Sequence, residues 1–143
     1  MPRPSKQAGT LASDSDGASK PATSTPRISE LSDTAWRLVQ IQSMDDRVYT
    51  PEPNRPYVIS FLSEGKAMVE ADCNRGRGAW TSEGRGRLRV GPMAVTKVAC
   101  PPGSLGSRFV TDLSFVRSYV LEEDRLFLAT MADGAILEFA PMK

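Results

Sequence analysis

From position 34 onward, hydrophobic and polar residues alternate along much of this chain with the period of a β-strand. In the first run, Thr34 to Ile41, Trp36, Leu38 and Gln40 share one face, and Ala35, Arg37, Val39 and Ile41 the other. Asp45 to Pro56 then carry Pro51, Pro53 and Pro56 among several charges, which excludes a central strand and predicts an exposed loop. Tyr57 to Phe61 form the next strand, with Tyr57, Ile59 and Phe61 on one face. Ser63-Glu64-Gly65-Lys66 is a turn, and Ala67 to Ala71 its hairpin partner. A Gly/Arg-rich turn after Cys73-Asn74 leads to a short strand, Gly78 to Thr81. Ser82 to Gly86 turn the chain back, and Arg87 to Val90 answer with alternating charge and aliphatic. Gly91-Pro92 break this run, and Val95 to Ala99 carry the chain to Cys100.

The period then changes. Pro101-Pro102-Gly103-Ser104 is a sharp stop followed by a helix start, with Ser104 as N-cap. Leu105, Phe109, Leu113 and Val116 fall on a single apolar stripe, which predicts one amphipathic helix over about residues 104–116. Strands return at Tyr119 to Leu121 and Leu126 to Leu128, around the acidic turn Glu122-Glu123-Asp124-Arg125. Asp133-Gly134 signals a last hairpin, closed by Ile136 to Phe139. About eight short strands and one helix imply an α+β fold, a mainly antiparallel sheet curled into a partly closed barrel.

Residues 1–30 differ in kind. They are rich in Pro, Ser, Thr, Ala, Gly and Lys, with Leu11 and Ile28 the only large aliphatics and no aromatic. Such a segment buries too little apolar surface to offset its ordering entropy, so it is expected to be a disordered linker or tail before a folded domain at 31–143. It is no signal peptide, lacking an apolar core of roughly 7–15 residues. Two readings stay open: the native start of a cytoplasmic protein, or the linker of an exported or lipid-anchored one whose export signal has been removed.

Composition narrows the chemistry. Eighteen basic residues against 17 acidic ones leave a net charge of +1, so nothing draws the whole molecule to nucleic acid or anionic membrane. Histidine is absent, which removes the commonest proton-transfer group and metal ligand. Cys73 and Cys100 cannot build a four-ligand zinc site by themselves, and Cys73 has no histidine base to make it a nucleophile. The residues alone leave the pair open between one disulfide and two separate buried thiols. Glu122, Glu123 and Asp124 could gather calcium, but adjacent acids on a turn are ordinarily just hydrated. Arg75-Gly76-Arg77-Gly78 is not a phosphate-cradling loop, and no cofactor motif is present.

The arginines are the most suggestive polar feature. Arg75, Arg77, Arg85, Arg87 and Arg89 could hold a small anionic ligand or a polyanion, with Trp80 as a stacking platform between them. The competing reading is a solvated hairpin whose charges keep an edge soluble; near-zero net charge and the lack of a nucleic-acid module favour it. Trp36 is expected in the core. Asn74 suits a turn in which its side chain bonds nearby backbone, and Gly78 a place where no Cβ would fit.

Asp72-Cys73-Asn74 with Gly78 and Trp80, the later Thr96-x-x-Ala-Cys100, the Cys-Pro-Pro-Gly-Ser helix entry and Leu31-x-x-x-x-Trp36 together resemble the META/HslJ-like domains, over roughly Leu31 to Phe139. Family members often have Gly before the Cys and Tyr where Trp80 stands; this chain has Asp72 and Trp80. The resemblance implies a Cys73–Cys100 disulfide and hence an oxidising compartment. It implies a non-enzymatic bacterial envelope domain, periplasmic or outer-membrane-tethered through a lipid anchor, involved in envelope stress or virulence. Its partner would be another envelope or host protein, and the chain itself a monomer without cofactor or metal.

Overall fold

The computed structural model describes residues 30–142, so the expected tail at 1–30 lies almost wholly outside the described residues. From Thr34 the chain runs β1 (Thr34–Ser43), β2 (Val48–Tyr49), β3 (Tyr57–Phe61), β4 (Lys66–Ala71), β5 (Asn74–Thr81), β6 (Arg89–Val95), α1 (Gly106–Ser114), β7 (Val116–Glu122), β8 (Arg125–Thr130) and β9 (Ala135–Pro141). Every pairing is antiparallel, in the order β6-β5-β4-β3-β1-β9-β8-β7, with β2 added beside β1. The two ends of this order meet. Arg87 bridges Ser118, the Leu88 N–H donates to the Arg117 carbonyl at 3.1 Å, and the Tyr119 N–H donates to the Gly86 carbonyl at 2.9 Å. This short seam partly closes the sheet into the expected α+β half-barrel.

Beyond the seam β6 and β7 diverge, and α1 packs against β6 and β4. At nine residues α1 is too short to be stable by propensity, so packing must hold it. Phe109 and Leu113 are fully buried; the Phe109 ring lies 5.8 Å from Tyr57, edge-on, and 6.0 Å from Phe139. The Tyr57 hydroxyl, buried at the same point, accepts the Leu105 N–H at 2.9 Å. The helix is shorter than its apolar stripe suggested. Val116, the last member of that stripe, is buried as the first residue of β7. Leu105 holds the N-cap position in place of Ser104, whose hydroxyl instead accepts the Gly106 N–H at 3.1 Å.

Three slips of register account for the other departures from simple alternation. In β1 the pairing with β9 shifts between Leu38 and Gln40. That β-bulge turns Ile41 inward beside Trp36 and Leu38, whereas strict alternation places it on the opposite face. Gly91-Pro92 do not break β6: the strand runs through them, and the register shift between Gly78 and Trp80 absorbs the extra residue. Pro92 is tolerated because β6 ends the sheet order and its missing N–H is not needed there. The third slip lies between Val116 and Ser118, so Arg117 is the extra residue of a bulge on β7.

The turns follow local chemistry. Glu123 and Asp124 both have positive φ and form a two-residue hairpin of the kind that matches strand twist. The β8–β9 hairpin is a helical turn at Met131–Asp133 with Ala132 left-handed, while Gly134 has a negative φ. Val48–Tyr49, expected as loop, pair with β1 before the prolines intervene.

Close approach explains the glycines of β5. A Cβ on Gly78 would stand 2.4 Å from the Pro92 carbonyl oxygen and 2.7 Å from Met93 Sδ, whereas one on Gly91 meets nothing closer than 3.4 Å. Gly78→Ala is therefore expected to lower stability by about 1–3 kcal/mol through forced displacement of β6, and Gly91→Ala to cost far less; urea unfolding compares them. Burial raises the Asp112 carboxyl above its ordinary value of 3.8, an effect only partly offset by Arg108, whose guanidinium lies 3.2 Å away. The folded state then holds that proton more tightly than the unfolded chain, so the Asp112 contribution turns against folding as pH rises past 3.8. Asp112→Asn should gain stability relative to wild type between about pH 3 and pH 7, read from unfolding midpoints.

Candidate functional site

β4 and β5 are joined by the two residues Asp72-Cys73, and around this turn an ion pair, a disulfide and a set of side-chain hydrogen bonds are built. Asp72 has φ +61, a left-handed backbone that glycine accepts freely and aspartate better than most. Its N–H donates to the Pro56 carbonyl at 2.7 Å. Its carboxylate lies 3.5 Å from the Arg55 guanidinium, with both side chains largely buried. The Asp72 Oδ2 and Arg55 Nη1 atoms have no hydrogen-bond partner, so charge alone joins them. Arg55 also donates to the Pro102 carbonyl at 3.1 Å and lies 3.7 Å from Glu52. One guanidinium thus ties the proline loop, the Asp72 turn and the helix entry together.

Cys73 and Cys100 are disulfide-bonded, with Cα atoms 5.6 Å apart across 27 positions of sequence. The bond is flanked by a second closure. Asn74 Oδ1 accepts the Val98 N–H at 2.7 Å, and Asn74 Nδ2 donates to the Val98 carbonyl at 2.9 Å. A side-chain amide thereby takes the place of a neighbouring strand. Thr96 completes it: its hydroxyl donates to Asn74 Oδ1 at 2.9 Å and accepts the Arg75 N–H at 3.0 Å, while its own N–H donates to the Arg75 carbonyl at 2.9 Å. Thr96-x-x-Ala-Cys100 and Cys73-Asn74 are two halves of one hydrogen-bonded unit. Spacing could not reveal that they meet.

Asn74 and Gly78 do not shape a turn; both lie inside β5, which runs eight residues through the Arg-Gly-Arg-Gly stretch. Trp80 offers no stacking platform. It is only 7% exposed, packs edge-on to Phe61 at 5.3 Å, and donates its Nε1–H to the Leu62 carbonyl at 2.9 Å. The arginines are exposed but do not converge. Arg75 and Arg77 project from the outer face of β5, opposite Glu70 and Met68 of β4. Arg85 sits in the following turn. Arg87 and Arg89 line a cleft of about 460 Å³ at the seam, together with Thr81, Glu83 and Arg117. Arg117, missed in the sequence because it falls between the expected helix and the expected strand at Tyr119, lines this cleft from its bulge.

A second hollow of about 470 Å³ lies beside the disulfide, between α1 and residues 95–99, with Ala71, Val95, Val98 and Val110 in its lining. Val98 is 59% exposed there. Among the described residues no three His, Cys, Asp or Glu side chains gather as a metal site.

A half-barrel of antiparallel strands with a helix at its open side and a disulfide across Cys-Asn and Thr-x-x-Ala-Cys defines the class. The META domain model matches residues 29–143, and the chain belongs to the META domain family. No curated protein matches it. Among solved structures it is similar to a Burkholderia xenovorans protein determined by NMR, at 21% identity and a TM-score of 0.66, over 79% of this chain and 84% of that one. It is also similar to a DUF4847 family protein from Bacteroides vulgatus, at 18% identity and a TM-score of 0.56, over 78% and 94% of the two chains. These likenesses show the fold.

Asn74→Ala removes both Val98 bonds and the Thr96 contact while leaving the disulfide in place. It should cost about 1–3 kcal/mol and speed amide exchange at Val98 far more than at Ile59, as read by hydrogen exchange.

Proposed function

We propose that this protein is a non-enzymatic bacterial envelope domain, periplasmic or held at the outer membrane by a lipid anchor, that acts by binding another envelope or host protein. The observation that carries the reading is the disulfide set within the Asn74–Thr96 unit. A disulfide of this kind persists in oxidising compartments and is rare where glutathione and thioredoxin keep thiols reduced. A scaffold working outside the cytoplasm also benefits from a closed loop of this size, which contributes about 3–4 kcal/mol in the chain-entropy model. The surface assigned to the partner is the hollow between α1 and residues 95–99, because the staple shapes it and the exposed Val98 offers apolar area for contact. The chain is assigned as a monomer, and roles in envelope stress or virulence belong to the same reading.

Protein recovered from its native cells is expected to fractionate with the envelope and to show no free thiol under denaturing, non-reducing conditions. Two titratable thiols in a cytoplasmic fraction would overturn the assignment. In the purified domain, Cys73→Ser with Cys100→Ser should lower stability by about 3–4 kcal/mol, and reductant should do the same to the wild type but not to the variant.

A further inference from the structure

We propose that the cleft at the barrel seam binds a tetrahedral oxyanion, a phosphate or sulfate monoester carried on a hydroxylated molecule such as a sugar. Two segments distant in sequence supply the site. Arg87 comes from the bridged segment just before β6, Arg89 from the first residue of β6, and Arg117 from β7. Among the described residues none of the three has an ion-pair partner, although carboxylates pair with Arg47, Arg55, Arg108 and Arg125 elsewhere on the molecule. Three guanidinium groups against the single carboxylate of Glu83 leave the cleft cationic in a protein whose net charge is only +1.

The bulge at Arg117 is the second observation. An extra residue interrupts the alternation of its strand, and here the residue so displaced on β7, Arg117, is among those that line the cleft. The Arg117 guanidinium is oriented by donation from Nη1 to the Val116 carbonyl at 2.9 Å and from Nη2 to Met131 Sδ at 3.8 Å, which leaves its other N–H groups for an anion. Planar guanidinium groups match the oxygens of phosphate and sulfate in pairs, which favours such esters over a lone carboxylate. Glu83 beside them is an acceptor for a hydroxyl of the carrier, and it disfavours a long polyanion lying across the cleft. The volume of about 460 Å³ suits a phosphorylated or sulfated sugar.

The test is an NMR titration of the whole chain with inorganic phosphate, inorganic sulfate and glucose 6-phosphate, alongside vesicles of phosphatidic acid in phosphatidylcholine. Saturable shifts at the side-chain N–H groups of Arg87, Arg89 and Arg117 are expected. Arg117→Ala, and independently Arg89→Ala should the first variant unfold, is expected to weaken binding by roughly tenfold or more. Arg117→Lys should recover only part of it, and Arg75→Ala with Arg77→Ala, farther along β5 and outside the cleft lining, should cause no loss. Stronger response to glucose 6-phosphate assigns a soluble ester, and stronger response to the vesicles a lipid-borne headgroup; either supports the site. Equal loss in the Arg75/Arg77 variant, tighter binding of poly-glutamate at the same residues, or no saturable response to any probe overturns it. None of these outcomes depends on the compartment or on a protein partner.

Discussion

The carboxamide of Asn74 facing the peptide group of Val98 is the contact on which the rest of this structure hangs. β6 ends at Val95, yet the chain must still come back to Cys100 beside Cys73. The backbone groups it carries along the way need partners. Asn74 supplies a donor and an acceptor in the spacing of a peptide, and Thr96 fills the remaining step to Arg75. The disulfide therefore closes a segment already held in register. The same segment continues into the Pro-Pro-Gly entry that fixes where α1 begins, and the Arg55 guanidinium reinforces that entry through the Pro102 carbonyl.

From this point the barrel can be closed in two ways at once. At one end of the β6–β7 gap the backbone pairs directly across Arg87 and Ser118; at the other α1 fills the opening with Phe109 and Leu113. A sheet of short strands cannot remain flat and keep one hydrophobic face buried, so it curls. The bulges at Val39, opposite Ala79 and at Arg117 take up the mismatch. Two of them change where a side chain lies: Ile41 turns into the core, and Arg117 comes to line a surface cleft.

The charge distribution follows from the same geometry. Arginines that look like one cluster in the sequence are divided between the outer face of β5, a turn and the seam. Gly76 and Gly78, which look like loop residues between them, are strand residues made small by the nearness of Val95 and Pro92. What resembles a single basic hairpin is two surfaces, and only the seam gathers its cations from opposite sides of a cleft.

The residues themselves determined a good deal. Period-two alternation, the prolines at 51, 53 and 56, the acidic turn at Glu122–Arg125 and the apolar stripe through Phe109 and Leu113 were each legible, because strand alternation, helix periodicity and turn chemistry act over a few neighbours. The Cys-Asn and Thr-x-x-Ala-Cys motifs pointed to the family, and with it to the half-barrel and the disulfide. Tertiary structure alone decided that Ile41 turns inward, that β6 passes through Gly91-Pro92, that Trp80 is core and that Arg117 joins Arg87 and Arg89. Each of these depends on which strand lies alongside and at what register, and that is set by partners tens of residues away, where local pattern carries no information.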